Sequence, residues 1–227
     1  MQRYLKKSDQ KTLLGEMQEK AKKNNEGVDP FRVLIGTVLS IRNRDESTVI
    51  ATSNLFDKKR LNTPQKIEDT PISEIEDLIR KSGMYKTKAQ RIKEISRILI
   101  DNFDGQVPDT MEQLLLLPGV GPKVANCVLV YAFKKPAIPV DTHVHRISNR
   151  TGLVTTKNPE DTEEILKKIY PKDYWLEVND IFVKFGKSVC KPIGPKCNEC
   201  PITQECPKII IKKSSKKSKG SSPILKK

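Results

Sequence analysis

The feature that most constrains the fold of this chain is a series of short amphipathic helical segments bounded by proline and glycine. The first apolar stripe has helical spacing and consists of Phe31, Leu34, Ile35, Val38 and Leu39. Thr63-Pro64 and Thr70-Pro71 each have the pattern of an N-cap followed by proline at the first helical position, and Gly83 is expected to end the second of these helices. Because strand signals are weak and no internal repeat is evident, the sequence predicts an all-α fold of short helices and short loops.

Charge and hydropathy narrow the class of partner. The chain has 227 residues, with 42 Lys+Arg against 28 Asp+Glu, which gives a net charge of +14. No apolar run reaches the roughly 18–20 residues of a membrane span, and the segment from Met1 to Lys7 lacks the apolar stretch of a secretory signal. We therefore expect a protein that neither spans a membrane nor is secreted, with a polyanionic partner, nucleic acid ahead of an anionic membrane.

Much of this charge lies in one segment. Residues Lys208 to Lys227 contain eight lysines and no acid, which predicts a disordered basic tail over 208–227. Subtracting those eight lysines from the total leaves +6 for residues 1–207. The tail is expected either to contact phosphates or only to raise solubility.

Four of the five cysteines follow the spacing C-x6-C-x2-C-x5-C, at Cys190, Cys197, Cys200 and Cys206. Such thiolates can converge on one metal centre, and zinc is one candidate. Structural zinc sites usually carry two short C-x-x-C pairs, whereas this chain has one, so the wider spacing favours a [4Fe–4S] cluster over zinc. The fifth cysteine, Cys127, stands alone in an apolar stretch and is expected to be a small buried side chain.

A glycine-containing turn, Leu117-Pro-Gly-Val-Gly-Pro-Lys123, joins two predicted helices. Gly119 and Gly121 allow positive φ and close backbone approach. The amides that open the following helix, together with its dipole, favour an anion such as a phosphate. By itself this pattern is also typical of an ordinary interhelical turn.

The segment from Leu117 to Asn126, followed by Val140-Asp-Thr-His-Val-His-Arg146, resembles the helix-hairpin-helix DNA glycosylase superfamily. With the cysteine-rich ending, the chain is similar to the endonuclease III family over about residues 25–207. The resemblance implies two helical domains with a DNA-binding cleft between them. The implied ranges are an N-terminal helix at 1–24 that packs with the cluster domain, a six-helix barrel at 25–135 with the hairpin at 112–133, and an iron–sulfur domain at 136–207.

The resemblance also implies the chemistry. Lys123 is the nucleophile that attacks the sugar carbon bearing the base, and Asp141 stabilises the developing positive charge and assists proton transfer. Because Lys123 begins a helix, the positive end of the helix dipole favours the free amine over the ammonium. The four cysteines at 190, 197, 200 and 206 ligate the cluster. Asp141 also has the pattern of a helix N-cap.

The expected DNA contacts follow from the same resemblance and comprise Arg42, Arg44, Met84, Tyr85, Lys86, Gly119, Gly121, His143, Lys191 and Lys196. Tyr85 and Lys86 are expected in a turn that enters the duplex, with Met84 as the inserted wedge where a Leu is often found. Arg42 replaces a Gln typical of bacterial relatives, and Arg42 and Arg44 can equally make simple phosphate contacts.

The resemblance implies a base-excision-repair DNA glycosylase with abasic-site lyase activity that removes oxidised or damaged pyrimidines from duplex DNA. The alternatives are a mismatch or uracil/thymine glycosylase of the same superfamily, a non-catalytic DNA-binding module, and a ferredoxin-like electron carrier. We expect a monomer without a membrane partner, in the cytoplasm with the nucleoid of a prokaryote, or in the nucleus if the source is eukaryotic.

Overall fold

The computed structural model describes residues 14, 15, 17 and 28–209, and this part of the chain contains ten α-helices and no β-strand. The helices are α1 (Pro30–Ser40), α2 (Asp45–Ser53), α3 (Pro64–Asp69), α4 (Ile72–Leu78), α5 (Tyr85–Phe103), α6 (Met111–Leu114), α7 (Pro122–Tyr131), α8 (Thr142–Arg150), α9 (Pro159–Ile169) and α10 (Trp175–Ser188). A π-helical turn (Asn54–Lys58) extends α2, and 3-10 turns cover Lys172–Tyr174 and Cys197–Glu199. The all-α prediction is confirmed for the described residues.

Side-chain caps and prolines set where several helices begin. Asp29, Thr63 and Asn158 accept backbone N–H bonds two or three residues ahead of them, at 3.0, 3.3 and 2.8 Å. Each is followed by proline at the first helical position. Proline lacks a backbone N–H, and at this position no helical hydrogen bond would use one. The helix starts are therefore encoded locally.

Two sequence expectations about α4 are wrong. The cap of α4 is Pro71, because the Thr70 hydroxyl donates instead to the carbonyl of Lys66 in the preceding helix, at 2.7 Å. The helix ends at Leu78, well before Gly83. The Asn54 side chain donates to the Leu78 carbonyl at 2.9 Å. The Thr70 hydroxyl is thus used by the preceding helix, and the last carbonyl of α4 is bonded by a side chain 24 residues earlier in the chain.

Buried apolar side chains form two clusters. The larger cluster contains buried residues from Met17 to Ala137. In it, α1 packs on α7, and α3 and α4 pack on α5. The smaller runs from Ile138 to Cys190 and is built around α8 and α10. The change of cluster falls near the domain boundary expected after residue 135, and the domain ranges stay a prediction.

The terminal segments are mostly outside this description. The N-terminal helix predicted at 1–24 lies outside the described residues except at 14, 15 and 17, and Met17 is buried in the larger cluster. The tail predicted at 208–227 lies outside them beyond Ile209. No helix of the described residues is long and apolar enough to cross a membrane.

Candidate active site and cysteine centre

The glycine turn joins the four-residue helix α6 to α7. Gly119 lies in the left-handed region at φ 74°, and a Cβ there would meet the Arg91 side chain at 2.3 Å. Gly121 differs from the expectation of positive φ: it has φ −93° and caps α7. A Cβ on Gly121 would meet open space, so the fold does not itself need glycine at this position. That space leaves the first amides of α7 open to close approach by an anion.

Lys123 and Asp141 line the same small cavity of about 70 Å³. Lys123 lies in the first turn of α7, and Asp141 immediately precedes α8. The Asp141 Oδ1 accepts the backbone N–H groups of His143 at 2.8 Å and Val144 at 2.9 Å. Asp141 is therefore the N-cap of α8, and the cap fixes its carboxylate at the edge of the cavity that holds the amine.

Cys127 lies one turn beyond Lys123 on α7 and is fully buried. Burial raises the pKa of the Cys127 thiol, and the positive charge of Lys123 opposes that rise. The thiol therefore stays protonated and neutral at pH 7. The prediction that Cys127 is a small buried side chain is confirmed.

The remaining cavity lining includes residues that sequence analysis missed: Asp45, Tyr131, Asn179 and Asp180. Asn179 accepts a hydrogen bond from the Tyr131 hydroxyl at 3.1 Å and donates to the Pro139 carbonyl at 2.8 Å. Asp45 is ion-paired with Lys187, which joins the start of α2 to α10. These residues come from helices far apart in sequence, and no local pattern marked them.

His143 is packed against neighbouring side chains and is not a freely exposed surface residue. It is half-buried, and burial lowers its pKa although Asp141 acts in the opposite direction. The Arg146 Nη2 lies 3.2 Å from His143 Nδ1. Because a guanidinium only donates, Nδ1 is the acceptor and the proton of the neutral ring is on Nε2. A Cβ on Gly186 would meet Nδ1 at 2.4 Å, so this packing also depends on a glycine that the sequence did not single out.

Arg42 and Met84 are exposed on two neighbouring loops. Both have positive φ, 50° and 57°, and Met84 is 52% exposed. A Cβ on Gly83 would lie 3.8 Å from the Arg42 carbonyl, which shows how closely the loops approach. Arg44 is exposed and occupies the position before α2, without a side-chain hydrogen bond to the start of that helix.

Tyr85 and Lys86 lie in the first turn of α5, so the expectation that both belong to the preceding turn is wrong. Met84 is the last residue before the helix, because its left-handed backbone conformation ends the loop. Tyr85 packs against the larger core with the Arg80 guanidinium 5.9 Å from its ring, whereas Lys86 is exposed.

The four clustered cysteines line one cavity of about 30 Å³. Burial raises the pKa of the Cys200 thiol, and the nearby sulfurs of the other three cysteines act in the same direction. Arg150 Nη1 donates to Cys190 Sγ at 3.4 Å, and the backbone N–H of Lys208 donates to Cys206 Sγ at 3.4 Å. Among the described residues, no group of Cys, His, Asp and Glu converges closely enough to hold a single metal ion.

Lys191 and Lys196 are both exposed on the loop between the first two cysteines. Lys196 Nζ lies 3.1 Å from Glu199 Oε2, an exposed pair of small energetic weight. Arg150 donates to the carbonyls of Lys191 at 2.7 Å and Pro192 at 3.3 Å, which ties the loop to the end of α8.

Comparisons with known proteins agree with this arrangement. The family described as HhH-GPD superfamily base excision DNA repair protein matches residues 35–172. The chain is 53% identical over 194 residues to an endonuclease III of Thermotoga maritima, which covers 86% of this chain and 90% of that protein. It is similar to the structure of a trapped endonuclease III–DNA covalent intermediate, with TM-score 0.75 and 37% identity over 85% of this chain and 92% of that chain.

A thermostable thymine-DNA glycosylase is also similar in structure, with TM-score 0.72 and 28% identity over 79% of this chain and 83% of that chain. The family match spans more than half of the sequence, and the Thermotoga relative is matched over nearly its whole length. The chain therefore belongs to the HhH-GPD superfamily of base excision DNA repair proteins, and within it to the endonuclease III family.

Proposed function

We propose that this protein is a bifunctional DNA glycosylase and abasic-site lyase that acts on damaged pyrimidines in duplex DNA. The observation that carries the proposal is that Lys123 and Asp141 line one small cavity behind the glycine turn. The family membership supports it, because a related endonuclease III forms the covalent DNA intermediate named above. A damaged base would leave the stack and enter the cleft beside this cavity.

Lys123 is the proposed nucleophile. Its amine attacks the sugar carbon that carries the base, and the carbon–nitrogen bond to the base breaks. The sugar ring then opens, because the bond from the same carbon to the ring oxygen breaks while the amine proton passes to that oxygen, and this gives the Schiff base. The imine makes the neighbouring hydrogen acidic, so its removal expels the 3′ phosphate by β-elimination and cuts the strand. Water then hydrolyses the imine and frees the amine.

Asp141 is the proposed electrostatic and proton-transfer partner. Its Oδ1 is held by two backbone N–H bonds, which fixes the carboxylate before substrate arrives. A fixed negative charge stabilises the positive charge that develops on the sugar as the base departs. The carboxylate can also accept the proton that the attacking amine loses.

The proposed cofactor is a [4Fe–4S] cluster held by Cys190, Cys197, Cys200 and Cys206. The thiols fit such a group because all four border one cavity, and Arg150 and a backbone N–H point donors at two of the sulfurs. Bound there, the cluster would hold the loop that carries Lys191 and Lys196 in place. Those lysines are proposed to contact DNA phosphates together with Arg42, Arg44 and Lys86.

Borohydride trapping tests the proposal. Wild-type protein with duplex DNA that contains one abasic site should form a covalent adduct when borohydride is added, and Lys123→Ala should form none. The matched control is Lys168→Ala, which removes the same charge from an exposed position on α9 and should trap as the wild type does. Absence of trapping with wild-type protein would contradict the lyase mechanism.

A second candidate is a mismatch glycosylase that removes thymine or uracil without cutting the strand. The similarity to a thymine-DNA glycosylase is the observation that favours it. A panel of duplexes with an oxidised pyrimidine, uracil opposite guanine or thymine opposite guanine separates the two candidates. Base release without trapping would support the mismatch enzyme, and base release with trapping would support the bifunctional one.

A further inference from the structure

Lys88 is a buried cation whose hydrogen-bond acceptors are both neutral. It lies one turn into α5, is 2% exposed, and is among the largest fully buried side chains of the described residues. Its Nζ donates to the Leu39 carbonyl at 2.8 Å and to the Ser82 hydroxyl at 2.9 Å. Arg91, one turn further along α5, carries a charge of the same sign and adds to the unfavourable electrostatics. Burying an ammonium among neutral acceptors is costly, and an apolar side chain here would avoid that cost.

The lysine belongs to a network that ties two loops together. Asn43 Nδ2 donates to Ser82 Oγ at 3.2 Å and to Thr48 Oγ1 at 3.0 Å. The backbone N–H of Gly83 donates to Asn43 Oδ1 at 3.5 Å. The Ser82 hydroxyl donates in turn to the Leu39 carbonyl at 3.4 Å. The segment 39–43 is therefore linked to the segment 82–88 by side chains whose positions depend on one another.

The two linked loops both carry an exposed residue in a strained backbone conformation. Arg42 and Met84 have positive φ, which non-glycine residues adopt at a cost in energy. Met84 exposes half of a large apolar side chain. Strain, apolar exposure and an uncompensated buried cation occur together in one small region, and none of the three favours folding. Their coincidence points to a functional requirement on where the two loops sit.

We propose that Lys88 is a positioning residue that fixes the Arg42 and Met84 loops relative to each other, so that both side chains enter the same opened step of the duplex. This inference rests on the proposed DNA glycosylase function and deepens it. Lys88 is buried behind the loops and touches no substrate. Its donors hold the end of α1 and the turn before α5 at one distance, and insertion of two side chains into one DNA step requires that distance to be fixed.

The test compares duplex and single-stranded DNA, each with one abasic site. Insertion into a stacked step matters only for the duplex, so loss of loop positioning should lower duplex activity selectively. For Lys88→Met, which keeps the length of the side chain and removes its donors, we expect kcat/KM on duplex to fall about tenfold or more, the effect of one to two lost hydrogen bonds. We expect a change of less than about threefold on the single strand, which lacks that requirement.

The matched controls are Ile95→Val and Ile95→Ala, which remove buried volume from the same helix without touching the network. They span a range of destabilisation and should leave the ratio of duplex to single-strand activity unchanged. Ser82→Ala removes one of the two Lys88 acceptors and should change that ratio in the same direction by a smaller factor. It keeps the test decisive if Lys88→Met folds poorly.

Dissociation constants for the same two DNAs are measured alongside, because binding does not depend on the chemistry. An unchanged duplex-to-single-strand ratio in Lys88→Met and Ser82→Ala, in both activity and binding, would overturn this inference. A wild-type protein that binds the abasic duplex without trapping would contradict the lyase function, and the binding ratio would still decide the role of Lys88.

Discussion

Asp141 lines the same cavity of about 70 Å³ as Lys123, while its Oδ1 caps the helix that follows it. One carboxylate thus serves two purposes, since the cap orders the start of α8 and holds the negative charge beside the lysine. The two purposes can be separated by substitution, because an asparagine side chain keeps the capping oxygen and loses the charge.

We expect the free energy of unfolding of Asp141→Asn to lie within about 0.5 kcal/mol of the wild-type value, because the asparagine oxygen can still cap the helix. Asp141→Ala should lose about 1 kcal/mol of the free energy of unfolding, because two backbone N–H groups lose their acceptor. Both variants should lower single-turnover base release by about 10² to 10⁴, the usual weight of a positioned acid or base. Urea denaturation and single-turnover assays on one duplex provide the measurements. Full activity in Asp141→Asn would show that the charge is not required.

A second expectation concerns the cysteine centre. Cys200→Ala should abolish a brown colour and broad absorbance near roughly 400 nm, the signature of thiolate-ligated iron. Cys127→Ala is the matched control, because that cysteine is buried in the other hydrophobic cluster and should leave the absorbance and iron content unchanged. Metal analysis of purified protein gives the stoichiometry. One zinc and no iron per chain would contradict the cluster assignment.

The backbone strain at Met84 predicts that relieving it will raise the stability of the protein and lower its activity on duplex DNA. Met84→Gly should raise the free energy of unfolding by about 1 kcal/mol, because glycine adopts positive φ without the Cβ penalty. The same change removes the proposed wedge, so kcat/KM on duplex should fall by about a hundredfold, the equivalent of roughly 3 kcal/mol at one unstacked step.

Arg60→Gly is the control for this prediction, since Arg60 also has positive φ, at 55°, and lies outside the proposed DNA contacts. It should gain similar stability with unchanged activity. If Met84→Gly retains full duplex activity, the wedge role is wrong.

The basic tail should contribute to the salt dependence of DNA binding. Removing residues 210–227 takes away seven lysines. If these lysines contact phosphates, the slope of log K against log salt should become less negative by several units, at about 0.9 per phosphate contact. A variant with the same lysines changed to glutamine keeps the length and should match the truncation. An unchanged slope in both would leave the tail as a solubility segment.

Lys88 gives an expectation for stability against pH. Burial lowers its pKa in the folded chain to about 8, from 10.5 in the unfolded chain. Below pH 8 both states bind the proton, so the cost of the buried charge is present in full. Between about pH 8 and 10.5 the unfolded chain binds more protons than the folded one, and the free energy of unfolding therefore rises with pH in this window.

Lys88→Met lacks that titration, so the difference in unfolding free energy between wild type and variant should shift in favour of the wild type on going from pH 7.5 to 9.5. Urea unfolding at both values checks it, and other titrating groups cancel in the difference. The same difference at both pH values would contradict a lowered pKa for Lys88.

The sequence by itself determined the helical fold of residues 28–209, because hydrophobic periodicity, capping side chains and prolines act over three or four residues. Thr63 and Pro64 predicted the start of α3 for that reason. Thr70 and Gly83 predicted the wrong bounds for α4, because the Thr70 hydroxyl bonds back to Lys66 and the helix ends earlier, at Leu78, whose carbonyl accepts from Asn54. The motif around Lys123 and the cysteine spacing indicated the family, since both are contiguous in the chain.

Only the tertiary structure decided what surrounds those motifs. Asn179 and Asp180 reach the Lys123 cavity from α10, and Gly186 admits His143 by lacking a side chain. No sequence pattern distinguishes Lys88 from the other lysines, and only the packed structure shows that it donates to the Leu39 carbonyl and to Ser82. These relationships join segments far apart in sequence, and a local pattern cannot encode the distance between side chains that meet only when the helices pack.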